Sequence, residues 1–511
     1  MFSQSWRSDT PYTHYLYCIL LGIAVSIAGE LPWGGWLQIP LLSLLWWRLS
    51  LVNATQFLPH FAGGFLFGLA YFVVGLWWIF ISLHDIGGMN AALSVAAVVL
   101  LSAYMALFFG LASSLGSILR QQSIFLNSAI MAAAWVLMEY LRGQLFTGFP
   151  WVGFAEAQVN GPFAAIAPLM GGLGSTFLVV WASMQLSGWR QSLVRISIPI
   201  GLALALMLGL NQLRFTEAIG SPISVRLIQG NFEQSLKWNP SAITQQIRFY
   251  SDMILEQRAD LIVIPETAFP LTEKDLPSDA LPQLKAFSQA THSNILLGLI
   301  GIISNSNGVL QYSNRALGLS PSSTSPYYYD KFHLVPFGEF IPPGFQWFVN
   351  AFRIPMSDFA RGNLMQAPFQ IERSGQDSIG AAITICYEDI FGNELASRIR
   401  NSEAPVNLFV NITNLAWFGQ SQAPSQQLRL SQMRSIETGL PSIRSTNTGI
   451  TAVIGPDGRV LQALPQWTQA SLSTSVQGFT GKTPFVVWGN WPILSLACFL
   501  LVFALLKRRR F

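Results

Sequence analysis

Three side chains in this sequence are of the types that acyl chemistry needs. Cys386 ends the apolar run Ala381 to Ile385 in "AAITICYEDIFG" and is one of only three cysteines in 511 residues. Glu266 comes directly after the run "DLIVIP". Lys331 lies in "YYYDKFHLVPFGEF", an aromatic segment that is neither plainly strand nor plainly helix. A thiol can serve as nucleophile, a buried carboxylate as general base, and a lysine ammonium as the cation for a developing oxyanion. Each alone has a plainer use. The thiol could be a small buried hydrophobe, the carboxylate a cap for the turn after Pro265, and the lysine a solvated loop residue. Glu388 and Asp389 count against the cysteine at first sight, because neighbouring negative charge makes a thiolate harder to form.

Such groups need a scaffold that holds them together. Open α/β sheets present reactive groups at the carboxyl ends of their strands, which is where Glu266 and Cys386 fall. From about 218 to 480 the sequence alternates β-branched runs, "VRLIQG", "DLIVIP", "NILLGLIG", "AAITIC" and "VNLFVNIT", with helical stretches near 240–258, 279–292, 390–400 and 423–439. The first helix is entered through Asn239 as cap and Pro240 as first helical residue. "TAVIGPDGRVLQAL" reads as a hairpin turning at Pro456, Asp457 and Gly458. Strands alternating with helices indicate an α/β domain.

The rest of the chain is of another kind. Of all residues 51% are hydrophobic and only 11% charged, with a mean hydropathy of +0.41. A soluble domain carries about 25% charged residues. Apolar runs near the roughly 20 residues that a bilayer requires predict eight spans, at about 12–31, 34–50, 60–83, 91–119, 124–142, 163–187, 194–212 and 486–506. The second is short and Trp-rich. The expected division is a seven-span bundle over 1–217, the α/β domain over 218–480, and a last span with a basic tail over 481–511.

Basic residues then orient the spans. Arg7, Arg48, Arg120, Arg190, Arg195 and the run Lys507 to Arg510 share one side, and only Arg142 and Arg214 lie near span ends on the other. The positive-inside rule makes the first side cytoplasmic, so both termini are expected inside and the α/β domain outside. A net charge of +4 with no basic aromatic patch argues against nucleic acid. Three scattered cysteines and five histidines form neither a disulfide framework nor a ligand cluster. Neither metal nor cofactor is therefore expected. Glu30, Asp85 and Glu139 lie near span ends, whereas transporters usually keep ionisable residues within their spans. A transporter or receptor is disfavoured on that ground.

In order and context, the three residues resemble the nitrilase superfamily of Glu-Lys-Cys carbon–nitrogen hydrolases. "IPETAFP" is similar to its glutamate motif, "DKFHLVPFGEF" to its lysine motif and "ICYEDIFG" to its cysteine motif. A domain of this kind between spans seven and eight, with "QGNFEQSLKWNP" and "NITNLAWFG", resembles the membrane-embedded, lipoprotein-acylating branch of that superfamily. The resemblance implies an αββα sandwich beside the helical bundle. It also implies Cys386 as nucleophile, Glu266 as general base and Lys331 as oxyanion-stabilising cation. Glu339, eight residues past Lys331, matches a second glutamate that supports the lysine and substrate. Tyr387 and Glu388 match neighbours needed beside the cysteine, and Trp238 an aromatic near the mouth of the site. Leu415 stands where the branch leads one to expect Asp, which puts that loop's polar contact in doubt.

The implied reaction takes the sn-1 acyl chain of a phospholipid, typically phosphatidylethanolamine, through a thioester to the α-amine of a diacylated apolipoprotein. The setting implied is the bacterial inner membrane, with a monomer acting at the lipid bilayer. A membrane-tethered amidohydrolase, with water in place of the amine, would use the same triad. Two further expectations concern loops. Trp347, Phe348 and Phe352 would suit a lid dipping into the interface, or a packed Ω-loop. The segment 147–158 is either a partner for the domain's underside or a re-entrant turn.

Overall fold

The computed structural model describes residues 11–53, 56–189, 193–233, 240–304, 308–342, 344 and 358–508. The chain forms two compact units, one of Met1–Phe80, Asn90–Leu213 and Trp488–Phe511, the other of Ile81–Met89 and Arg214–Val487.

The first unit is helical: α1 (Pro11–Glu30), α2 (Gly34–Ser50), α3 (Phe57–Gly75), α4 (Ala91–Ile118), α5 (Ile124–Arg142), α6 (Ala167–Ser187), α7 (Leu193–Leu210) and, at the far end of the chain, α12 (Trp491–Arg508). Among the described residues, six stretches are long and apolar enough to cross a membrane: Tyr12–Glu30, Phe57–Gly75, Ala91–Ile118, Ile124–Arg142, Ala164–Ser187 and Trp491–Arg508. The expected spans at 34–50 and 194–212 are helices too, but fall short of that measure of length and hydropathy. Without a hydrophobic drive between helices in lipid, small residues let backbones approach. Gly64 of α3 shows this, since a Cβ there would lie 2.7 Å from Phe109 O of α4.

The third span ends sooner than expected. Its helix stops at Gly75, and Ile81–Ile86 forms a separate π-helical turn that groups with the second unit. The polar residues of "SLHDIGG" close this turn on itself, with His84 Nδ1 2.7 Å from Met89 O. In the segment 147–158, Arg142 donates to the carbonyls of Phe149 (2.7 Å) and Trp151 (2.8 Å). Phe154 stacks on Trp135 of α5 with ring centroids 5.4 Å apart. Those aromatics are thus engaged within the helical unit.

The second unit is an αββα sandwich. Its first sheet contains β1 (Thr216–Gln229), β2 (Leu261–Val263), β3 (Phe269–Thr272), β4 (Asn294–Ser304), β5 (Leu310–Leu319), β6 (Tyr327–Asp330) and β13 (Ala470–Gly481), in the order β13-β1-β2-β4-β5-β6 with β3 on β4. The second sheet contains β7 (Phe369–Arg373), β8 (Gln376–Ile385), β9 (Leu408–Thr413), β10 (Ser442–Thr446), β11 (Ala452–Ile454) and β12 (Val460–Ala463), in the order β12-β11-β10-β9-β8-β7. Strand alternation builds three layers of core. Leu227, Leu261, Val263 and Leu296 from the first sheet meet Ile383, Ile385, Val410, Ile412 and Ile443 from the second. The intervening residues Ile228, Ile262, Ile295 and Leu297 point outward, onto helices α8 (Pro240–Glu256) and α9 (Ala280–Thr291). On the other side Ala382 and Phe409 pack with α10 (Gly392–Asn401), and α11 (Ala423–Thr438) completes that layer. Each fully buried Leu, Ile or Val is worth roughly 1.5–3 kcal/mol. Burial on both faces explains why these strands read as unbroken apolar runs.

The hairpin forms where expected. β11 and β12 pair antiparallel, and Gly455 N donates to Arg459 O at 2.8 Å across the turn.

Candidate active site

Glu266 follows the end of β2, three residues past Val263. Its loop bends sharply, since Thr267 has φ +48°. Gly298 on the neighbouring β4 makes room for that bend. A Cβ there would sit 2.5 Å from Pro265 O and 2.7 Å from Glu266 Cα. The carboxylate is 7% exposed and both of its oxygens are held. Asn314 Nδ2 donates to Oε1 at 2.6 Å, and the Asn414 backbone N–H donates to Oε2 at 2.8 Å.

Lys331 comes immediately after β6, so it too stands at a strand's carboxyl end, which its aromatic surroundings hid in the sequence. Its N–H donates to Asn314 O at 2.8 Å, fixing the backbone. The ammonium, 1% exposed, lies 2.9 Å from both Glu339 oxygens and 3.7 Å from Glu266 Oε1. Burial pulls its pKa down, but Glu339 first and Glu266 second outweigh that, so the net shift is well upward. The eight-residue spacing from Lys331 to Glu339 works through a turn. Glu339 N donates to Val335 O, and Val335 N donates back to Glu339 Oε2, each at 2.9 Å.

Cys386 follows β8 and opens a short 3₁₀ turn, Cys386–Ile390, with φ +51° at the cysteine itself. That left-handed conformation is unusual for a residue with a Cβ. Burial, and then the Glu266 carboxylate, push the thiol well above its ordinary pKa of 9.0, while the Lys331 ammonium pulls the other way. Sulfur, ammonium and the two carboxylates therefore act on one another electrostatically. The group is a thiol beside a fixed base and a fixed cation, an arrangement suited to proton transfer during attack on a carbonyl.

Glu388 is turned away from this chemistry and into the fold. Oε1 accepts from Phe332 N at 2.7 Å and His333 N at 3.2 Å, and Oε2 accepts from Ile385 N at 2.7 Å. The Tyr329 hydroxyl lies 2.9 Å from both oxygens. Arg398 donates to that hydroxyl at 3.2 Å and to Ile383 O at 2.7 Å. One carboxylate thus binds the strand end before Cys386 to the residues after Lys331. Tyr387 is 4% exposed. Its ring packs edge-on to Phe391 (5.2 Å) and to His333 (5.6 Å). Asp389 pairs with the buried Arg444.

Glu266, Lys331, Glu339 and Cys386 are therefore gathered in one site, with Tyr387 and Glu388 beside it. Trp238, Trp347, Phe348 and Phe352 lie outside the described residues. Leu415 is 1% exposed, and its Cδ1 lies 3.3 Å from where a Cβ on Gly449 would stand. Sequence reasoning missed Asn314, whose amide bridges Glu266 and Glu339 (2.9 Å to Glu339 Oε1), and the pair Tyr329 and Arg398. Asn314 falls on β5 in "LQYSNRALGL", between Ser313 and Arg315, and nothing in that polar stretch singled it out.

Residues 224–484 match the model of the carbon–nitrogen hydrolase family, and residues 21–185 match that of the apolipoprotein N-acyltransferase N-terminal domain. Similar proteins along nearly the whole chain carry the name apolipoprotein N-acyltransferase. That of Ralstonia nicotianae is 40% identical over 96% of this chain and 93% of its own. That of Nitrosomonas europaea is 38% identical over 96% and 97%, and that of Chromobacterium violaceum 37% over 98% and 97%. With a helical unit preceding a carbon–nitrogen hydrolase sandwich, and similarity of that extent, the chain belongs to the apolipoprotein N-acyltransferase family.

Proposed function

We propose that the protein moves the sn-1 acyl chain of a membrane phospholipid, through a thioester on Cys386, to the α-amine of a diacylated apolipoprotein. The observation that carries the reading is the buried Lys331 ammonium, held by Glu266 and Glu339 and electrostatically coupled to the Cys386 thiol. The names of the full-length relatives supply the substrates.

In the first half-reaction Glu266 takes the thiol proton as sulfur bonds to the ester carbonyl carbon. The oxyanion that forms is stabilised by Lys331 and the Tyr387 N–H. Preorganised donors of this kind are worth roughly 3–4 kcal/mol each. Collapse breaks the bond to the glycerol oxygen, which takes the proton back from Glu266 and leaves as lysophospholipid. In the second half, the neutral amine bonds to the thioester carbonyl carbon. Glu266 accepts its proton, the C–S bond breaks, and the proton passes to sulfur to restore the thiol. Glu388 acts as a support for both loops and Glu339 as the anchor of the ammonium.

The α/β unit is assigned to the periplasmic side of the bacterial inner membrane with both chain termini cytoplasmic, and phosphatidylethanolamine to the donor. The protein acts as a monomer, without nucleic acid, metal or cofactor. Intact mass of the purified protein after incubation with phospholipid is the test. An acyl adduct that is labile to hydroxylamine, absent in Cys386→Ala and discharged by a diacylated lipopeptide is expected. Active protein without an adduct would sink the scheme, and discharge as free fatty acid alone would favour the amidohydrolase.

A further inference from the structure

The carbonyl of Cys386 is gripped from two sides. Gln427 Nε2 of α11 donates to it at 3.0 Å and Asn411 Nδ2 of β9 at 3.4 Å. Both side chains are buried, at 0% and 1% exposure. Each is itself braced. Gln427 Nε2 also reaches Asp389 Oδ1 at 3.4 Å, and Asp389 is in turn fixed by Ser431 and Arg444. Asn411 Nδ2 donates as well to Thr384 Oγ1 at 3.0 Å. The orientation of the Gln427 amide follows from these partners, because a carbonyl and a carboxylate only accept.

A trans peptide is planar, with its C=O and N–H pointing in opposite directions. Fixing the Cys386 carbonyl therefore fixes the direction of the Tyr387 N–H. The fixing matters because Cys386 has φ +51°, a conformation that residues with a Cβ disfavour and that must be imposed from outside. We propose that Gln427 and Asn411 are positioning residues that aim the Tyr387 N–H at the oxyanion in both half-reactions. They touch no reacting atom. Their effect is on the alignment of a donor, and it rests on the acyl-cysteine reading above.

Gln427→Met keeps the length of the side chain and removes the donor. Gln432→Met is the control. It lies on the same helix, where Gln432 Nε2 donates to Gly458 O at 2.8 Å, away from the site. Single-turnover acylation of Cys386 is followed with phospholipid and, separately, with a p-nitrophenyl ester, alongside Tm and the infrared carbonyl stretch of a ¹³C-labelled thioester. Gln427→Met is expected to slow acylation by about 10- to 100-fold with either donor at unchanged KM, less than the 10²–10³ seen on outright loss of such a donor. Its thioester stretch should rise in frequency, as that of a carbonyl less polarised by hydrogen bonds, and adding Asn411→Ala should deepen both effects. Gln432→Met should leave rate and stretch unchanged. The proposal is overturned if Gln427→Met acylates within twofold of the unaltered protein, or if Gln432→Met slows it equally at equal loss of Tm. Failure of the unaltered protein to take an acyl group from phospholipid, with the ester arm intact, would count against the lipid donor alone. The ester arm would still decide the role of Gln427.

Discussion

At the scale of single residues, Cys386 rests as a thiol rather than a thiolate. Burial and Glu266 raise the pKa of Cys386 above 9.0, so the protonated form persists as pH climbs past the point where an exposed cysteine ionises. Alkylation of Cys386 by iodoacetamide should therefore keep accelerating beyond pH 9.0, the ordinary cysteine midpoint. A plateau below that pH would contradict the assignment. Tyr329→Phe removes the hydroxyl that meets both oxygens of Glu388. It should cost about 1–3 kcal/mol, the usual range for a buried polar group left short of a partner, read as a lowered Tm in detergent. Glu266, Lys331 and Cys386, the residues proposed to react, were legible because each sits in a distinctive local string. Apart from Glu339, the polar groups that hold the site together were not. Asn314 lies 48 residues from Glu266, and Tyr329 lies 59 from Glu388. Only the topology of two sheets brings such pairs together.

Elements determine how those residues are held. Glu266, Lys331 and Cys386 follow strands β2, β6 and β8, and the rule placing reactive groups at strand carboxyl ends identified two of them. The third was obscured because β6 has four residues, "YYYD", without the β-branched pattern of its neighbours. The main strands and all four expected helices of the sandwich were legible, since burial on both faces leaves long apolar runs. The close contact at Gly298 was not, because a glycine within "NILLGLIG" looks like any other. Gly298→Ala should push the Pro265–Thr267 loop aside, at about 1–3 kcal/mol for an overpacked site. Acylation should fall sharply while Cys386 remains open to alkylation. Equal loss of both would instead indicate general unfolding.

At the scale of the whole molecule, the two units differ in kind, one built of long apolar helices and one an αββα sandwich. The arrangement of basic residues leads to a test of topology. Alkaline phosphatase fused after Arg508 should be inactive, whereas fusion within the loop after β12 should be active. The reverse pattern would overturn the orientation assigned above. The single carboxylate of Glu388 has a consequence for how such an enzyme comes into being. It takes backbone N–H groups from Phe332, His333 and Ile385, so one side chain ties the lysine loop to the cysteine loop. On the reaction proposed above, a chain in which those loops are not yet joined would lack both the cation and the nucleophile in place, and would be inert toward lipid. Chains with Glu388→Ala should accordingly lose acylation and the shielding of the Cys386 thiol together.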